Sequence, residues 1–281
     1  MRILVTGVNG QLGYDVVKVL KSRNIECTGV GRREFDITKE NDVMEYISSY
    51  KPKAVIHCAA YTAVDKAEDE PGLCHMVNVY GTENIAKACE AVDAKMIYIS
   101  TDYVFSGTGN KAYDVNDETG PLGVYGKTKL EGENTVKKIL DKYFIVRISW
   151  VFGKNGNNFI KTMLRLGKER SEISVVCDQV GSPTYTADLA KLLCDMVMTD
   201  KYGIYHATNE GFCSWAEFAE EIFRLSNYKT KVNFIKTTEY PTKTVRPLNS
   251  RLNKEILDEA KFQRLAHWKD ALKRFLKEID G

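Results

Sequence analysis

The stretch VTGVNGQLG constrains this chain more than any other. It places Gly7, Gly10 and Gly13 directly after the apolar run RILVT (2–6) and at the start of the amphipathic stretch QLGYDVVKVLKSR. Glycine permits a tight turn and leaves the backbone open to close approach. A helix that starts there offers unpaired N–H groups and a positive dipole end to an anion. Strand, glycine turn and helix in that order point to a pyrophosphate-binding βα unit. The spacing is G-x-x-G-x-x-G rather than G-x-G-x-x-G, so placement carries the reading more than the string does. Gly7, Asn9, Gly10, Gln11, Leu12 and Gly13 are candidate dinucleotide contacts, with a purely structural turn as the alternative.

Such a unit belongs on a parallel sheet, and the sequence supplies one. Short runs rich in β-branched residues recur at ECTGV (26–30), AVIHC (54–58), MIYIS (96–100) and FIVRIS (144–149). Helix-length amphipathic stretches separate them, among them ENDVMEYISSY and CHMVNVYGTENIAKACEA. Strand-length apolar runs alternating with helices predict βαβ units and a doubly wound, Rossmann-type α/β sheet. The alternation holds to about Trp150. We therefore expect a dinucleotide-binding domain over 1–152 that also receives part of 180–205, and a smaller mixed α/β substrate lobe over 153–281.

Composition bounds the function classes. The 281 residues are 43% hydrophobic and 28% charged, with a net charge of +2, values of an ordinary globular enzyme-sized protein. No basic run interleaved with aromatic residues suggests a nucleic-acid partner. No apolar span approaches the length that crosses a membrane. Seven cysteines without a CxxC pair read as reduced thiols, and RILVT begins too early for a signal peptide. A cytoplasmic protein is expected.

Cofactor choice is normally written after the second strand, where an acid favours a ribose 2′-hydroxyl and a base accommodates a 2′-phosphate. The sequence there is GVGRREFD. Arg32 and Arg33 permit NADPH, and Glu34 leaves NADH open. Both arginines are equally consistent with solvated surface charges. Asp36 and Ile37 follow closely enough to border an adenine.

A second motif carries chemistry. VYGKTKLEGE (124–133) sets Tyr125 and Lys129 four residues apart, which on a helix puts phenol and ammonium on one face. A nearby cation lowers a phenol's pKa from about 10 and suits it to proton transfer near neutrality. By itself the pair is read first as a packed ring and a solvated lysine, because Tyr-x-x-x-Lys recurs by chance.

Taken with YISTDYVFSG (98–107), these motifs resemble the extended short-chain dehydrogenase/reductase family. Further strings, AAYTAVDKAEDEP, ISWVFG, NNFIKTMLRL, DQVGSPT and RPLNSRL, extend the resemblance over nearly the whole chain. The resemblance implies NADH- or NADPH-dependent reduction of the 4-keto group of a dTDP-linked 4-keto-6-deoxy sugar. It maps a catalytic Ser/Thr, Tyr and Lys onto Thr101, Tyr125 and Lys129, with Tyr125 the proton donor. Ala59 and Ala60 join the cofactor contacts. Thr62, Val64, Asp102, Tyr103 and Trp150 match positions that line the sugar site; Trp150 is also read as core. Asn158 would contact the substrate or cap a helix, and Arg246 and Arg251 would pair with the diphosphate. Some members hold Mg²⁺ with acidic side chains between subunits; Asp15 matches one such ligand, no full set can be traced, and no catalytic metal is expected. The resemblance leaves a homodimer open. Two other readings compete: an epimerase or dehydratase of the same family, which would retain its cofactor through turnover, and a non-catalytic regulatory subunit of the same fold.

Overall fold

A computed structural model describes residues 1–280. In chain order its strands are β1 (Ile3–Thr6), β2 (Cys27–Val30), β3 (Ala54–His57), β4 (Lys95–Thr101), β5 (Tyr143–Ile148), β6 (Val151–Phe152), β7 (Glu172–Val176), β8 (Val180–Gly181), β9 (Thr184–Tyr185), β10 (Gly203–His206), β11 (Cys213–Ser214), β12 (Lys231–Ile235) and β13 (Asn249–Ser250). The α-helices are α1 (Gln11–Ser22), α2 (Glu40–Tyr50), α3 (Val64–Asp69), α4 (Pro71–His75), α5 (Gly81–Ala91), α6 (Val124–Ile139), α7 (Phe159–Glu169), α8 (Thr186–Met196), α9 (Trp215–Leu225), α10 (Glu255–Glu259) and α11 (Trp268–Asp280).

Six strands form the central sheet in the order β10-β5-β4-β3-β1-β2, and every pairing is parallel. Such a sheet must be covered on both faces, which explains why β1 and β3 are apolar runs buried along their whole length. One face packs Val5, Ile56, Ile97 and Val146 against Val16 and Leu20 of α1 and Leu189 and Leu193 of α8. The other packs Leu4, Val55, Met96 and Ile145 against Ile47 of α2, Ile85 of α5 and Val136 of α6. The chain leaves the sheet after β5 and returns to it through α8 and β10.

A second core joins Ile160 and Met163 of α7, Ile173 and Val175 of β7, Phe218 and Ile222 of α9, and Leu272 and Phe275 of α11. This lobe carries the parallel pair β12-β7 and the three-stranded sheet β11-β8-β13.

The strand order reverses between β1 and β3, the first strands of the two halves. Ligands of open α/β sheets bind beyond the carboxyl ends of the strands at such a reversal. The two ends are tied there: Thr6 Oγ1 lies 2.8 Å from His57 Nδ1, and the Ala59 N–H donates to Thr6 Oγ1 at 3.2 Å. Among the described residues no helix is long and apolar enough to cross a membrane.

Candidate active site

A cleft of about 680 Å³ opens at that reversal point. Its first wall is the glycine turn. Gly7 has φ +71°, and a Cβ there would lie 2.6 Å from the Ala59 nitrogen, so both conformation and space demand glycine. Gly10 caps α1 with no side-chain bond to its first N–H groups, and the first turn holds no acid. The helix end thus presents free donors to the cleft, the arrangement an anion needs. Gly7, Asn9, Gly10, Gln11, Leu12 and Gly13 all line it, as do Arg32, Asp36, Ile37, Ala59 and Ala60. These residues fit a dinucleotide's pyrophosphate, ribose and adenine.

At the β2 edge the candidates separate. Arg32 lines the cleft, is 86% exposed and pairs with Asp36 at 3.4 Å, whereas Arg33 is exposed and not part of the lining. The Glu34 carboxylate turns back to accept the Gly31 N–H at 2.7 Å. Of the residues that GVGRREFD offers for a ribose 2′ group, Arg32 and Asp36 face the cleft as a pair, and Glu34 does not.

The three candidate catalytic residues are gathered on β4 and α6. β4 ends at Thr101, and α6 buries a stripe containing Tyr125, Thr128, Lys129, Gly132, Glu133 and Val136, the 3.6-residue period of a core-facing helix. The α6 N-terminus is fixed by the Glu68 carboxylate, which accepts the Val124 N–H at 2.9 Å. Thr101, Tyr125 and Lys129 all reach the cleft while only 5%, 9% and 2% exposed.

Their electrostatics correct the sequence-based expectation. Lys129 was expected to depress the Tyr125 pKa; instead burial pushes the phenol well above its ordinary range, with the Thr101 hydroxyl opposing the rise. The Lys129 ammonium lies 4.0 Å over the Tyr98 ring. Burial pulls Lys129 down to about 7, and the Glu133 carboxylate one turn on works against that fall. Burial thus favours the protonated Tyr125 phenol and brings the Lys129 amine near neutrality.

Thr62, Val64, Asp102, Tyr103 and Trp150 also line the cleft. Asp102 is 3% exposed; one carboxylate oxygen accepts from Thr101 Oγ1 at 3.0 Å and the other has no partner. Burial pushes its pKa up to about 6. The Tyr103 ring meets Tyr125 edge-on at 5.5 Å.

The three remaining candidates lie outside the lining. Asn158 is fully used as the α7 cap: its Oδ1 accepts the Lys161 N–H at 3.1 Å, and its amide donates to Gln11 Oε1 and the Gly153 carbonyl. It reaches the cleft only by steadying Gln11. Arg251 donates to Asn249 Oδ1 at 2.9 Å and faces the Phe212 ring. Arg246 stands at the rim, donating to the Tyr103 hydroxyl at 3.0 Å and to Asp65 at 2.5 Å.

Several structural supports escaped the sequence reading. Asn78, 1% exposed, sits in a π-helical turn (Met76–Tyr80). Its Oδ1 accepts the Tyr61 N–H at 2.8 Å, and its amide donates to Thr128 Oγ1 at 3.1 Å, joining the cofactor-side loop to α6. Glu133 and Arg147, 0% and 3% exposed, form a bidentate pair at 2.9 and 2.7 Å, with Ser100 donating to the same carboxylate. An arginine inside FIVRIS signals a buried partner without saying which one. Among the described residues no three acidic, histidine or cysteine side chains converge as a metal site. Asp15 lies buried outside the cleft and accepts from Thr186. His57 is a packed histidine, held neutral by burial.

A doubly wound sheet, an uncapped glycine turn at its reversal point and a Thr, Tyr and Lys set on β4 and α6 are the marks of the extended short-chain dehydrogenase/reductase class. Within it, residues 1–280 match the RmlD substrate binding domain family, and the chain belongs to that family. It is 41% identical to dTDP-4-dehydrorhamnose reductase of Aggregatibacter actinomycetemcomitans, over 97% of each chain. It superimposes on a dTDP-4-dehydrorhamnose reductase from Clostridium acetobutylicum with a TM-score of 0.98, at 43% identity and full coverage of both chains. A Bacillus anthracis dTDP-4-dehydrorhamnose reductase in complex with NADP gives 0.96, at 44% identity and 99% coverage of both.

Proposed function

We propose that this chain is an NAD(P)H-dependent reductase that converts dTDP-4-dehydro-L-rhamnose to dTDP-L-rhamnose. The observation that carries the reading is the meeting of Thr101, Tyr125 and Lys129 in one buried cleft with the free end of α1. The sheet with α8 and β10 is the cofactor unit, and the second core is the substrate lobe. Bound NADPH or NADH supplies hydride to the ketone carbon. Tyr125, kept protonated by burial, gives its proton to the ketone oxygen as charge grows there. Thr101, whose hydroxyl donates to Asp102, turns that hydrogen bond onto the same oxygen, an electrostatic stabilisation of the charge growing there. Lys129, close to neutral in pKa, returns the proton to the phenolate. Arg32, at the cleft edge beside Asp36, would hold a 2′-phosphate and so favour NADPH. Arg246, on the far side of Tyr103, faces the substrate's diphosphate. Free thiols at all seven cysteines suit a reducing cytoplasm.

The test is oxidation of NADPH on adding dTDP-4-dehydro-L-rhamnose, run beside UDP- and GDP-linked 4-ketosugars. Turnover with the dTDP sugar and formation of dTDP-L-rhamnose is the expected result. No oxidation with any of them refutes the assignment.

A further inference from the structure

Trp150 is built into the cleft wall at an evident cost. Its φ is +50°, a left-handed conformation that bulky L residues avoid and that persists only where the surroundings over-determine it. Those surroundings are specific. The Trp150 carbonyl accepts the Thr184 N–H at 3.1 Å, Ser149 Oγ donates to the Ser182 carbonyl at 2.8 Å, and Thr184 Oγ1 donates to the Ser149 carbonyl at 2.6 Å. The indole stacks on Trp215 with centroids 3.7 Å apart and planes 13° apart. Beside it lies Gly181: a Cβ there would come within 3.0 and 3.1 Å of Trp150 Cε2 and Cζ2, and 2.9 Å from Ser250 Cβ.

Gly181 and Trp215 arrive together. β8 pairs antiparallel with β11, Gly181 opposite Cys213 and Val180 opposite Ser214, and Trp215 follows as the first residue of α9. Ser214 and Glu217 close a capping box around that helix start, and Phe159 packs on Trp215 at 4.6 Å. One small sheet thus delivers both a flat partner for the indole and the only residue type that leaves it room.

We propose that Gly181 and Trp215 are positioning residues that clamp the Trp150 indole as the rigid wall of the sugar pocket, so that they set the affinity for the sugar nucleotide without touching it. The proposal deepens the reductase reading and rests on Trp150 as a substrate contact. A residue that acts this way changes KM for one substrate and leaves kcat and cofactor binding alone. It also loses its effect once the residue it positions is gone.

The experiment measures KM and kcat for dTDP-4-dehydro-L-rhamnose, and Kd for NADPH, in wild type, Gly181→Ala, Trp215→Ala, Trp215→Phe, Trp150→Ala and the double variant Gly181→Ala/Trp150→Ala, each checked for folding by thermal melting. Gly181→Ala and Trp215→Ala should each raise KM about tenfold, with kcat within threefold and NADPH binding unchanged. Trp215→Phe, which keeps a stacked ring, should recover most of the loss. In the Trp150→Ala background, Gly181→Ala should add less than twofold. If the Ser250 contact prevents Gly181→Ala from folding, the two Trp215 variants carry the same test. Unchanged KM in Trp215→Ala, or a Gly181→Ala effect that persists in full without Trp150, overturns the clamp while leaving the reductase reading intact. A wild type that does not turn over the sugar, or a Trp150→Ala variant with wild-type KM, refutes the underlying reading and the clamp with it.

Discussion

Lys129 offers a quantity that follows from burial alone. The residue is 2% exposed, and desolvation pulls the pKa of its amine from the ordinary 10.5 to about 7. Between those values the unfolded chain holds a proton that the native protein lacks. Stability therefore rises with pH across that window, by about 1.4 kcal/mol per pH unit for the one group. Below pH 7 both states are protonated and the penalty is constant; above 10.5 it is gone. Replacing Lys129 with Met removes the titration and keeps the stem that packs near Tyr98. Urea unfolding of wild type and Lys129→Met from pH 7 to 9 should show the variant the more stable at pH 7, with the difference shrinking by roughly 2 to 3 kcal/mol toward pH 9. Parallel pH profiles for the two proteins would mean that the amine is solvated or permanently paired with Glu133, and the reasoning would be wrong.

Further outcomes follow from the same geometry. Tyr125→Phe should bind NADPH normally and lose about 10²- to 10⁴-fold in kcat; turnover within threefold of wild type removes the phenol from the reaction. Arg32→Ala should raise KM for NADPH far more than KM for NADH, because only the former loses a charge-assisted bond to phosphate, and equal effects would return Arg32 to the solvent. Arg246→Ala should weaken dTDP binding about ten- to hundredfold, as loss of a charged hydrogen bond to phosphate does, with NADPH titrating as in wild type; unchanged dTDP affinity in calorimetry counts against the rim assignment. Asn158→Ala should cost about 0.5 to 2 kcal/mol of stability, the worth of a helix cap, and an effect on dTDP binding without loss of stability would contradict the capping role.

What the sequence revealed, and where it stopped, follows from range. β1 and β3 were legible because a strand buried on both faces must be an unbroken apolar run, and Tyr125 with Lys129 because four residues on a helix close a fixed geometry. Arg32 and Asn158 each carried two readings. For Asn158 the outcome turned on where α7 begins, since its amide and carbonyl are spent on that helix and on Gln11. The Lys129 environment was beyond reach: it depends on how α6 settles against Tyr98 of β4, a contact between distant segments that no local pattern encodes. Asn78 escaped for a related reason, because a π-helical turn, invisible to a 3.6-residue period, swings it inward. The pairing of β12 with β7, and of Gly181 with Trp150, are likewise products of tertiary packing.

The central claim is that reducing equivalents pass from added cofactor to the sugar, with Tyr125 supplying the proton. Incubating the protein with dTDP-4-dehydro-L-rhamnose and NADPH deuterated at the transferred position, then reading the product by mass spectrometry and NMR, tests it most directly. The account predicts stoichiometric NADPH consumption and one deuterium at C4 of dTDP-L-rhamnose. Conversion of the sugar without NADPH consumption, or a product free of deuterium at C4, would show a retained-cofactor epimerase or dehydratase and contradict it.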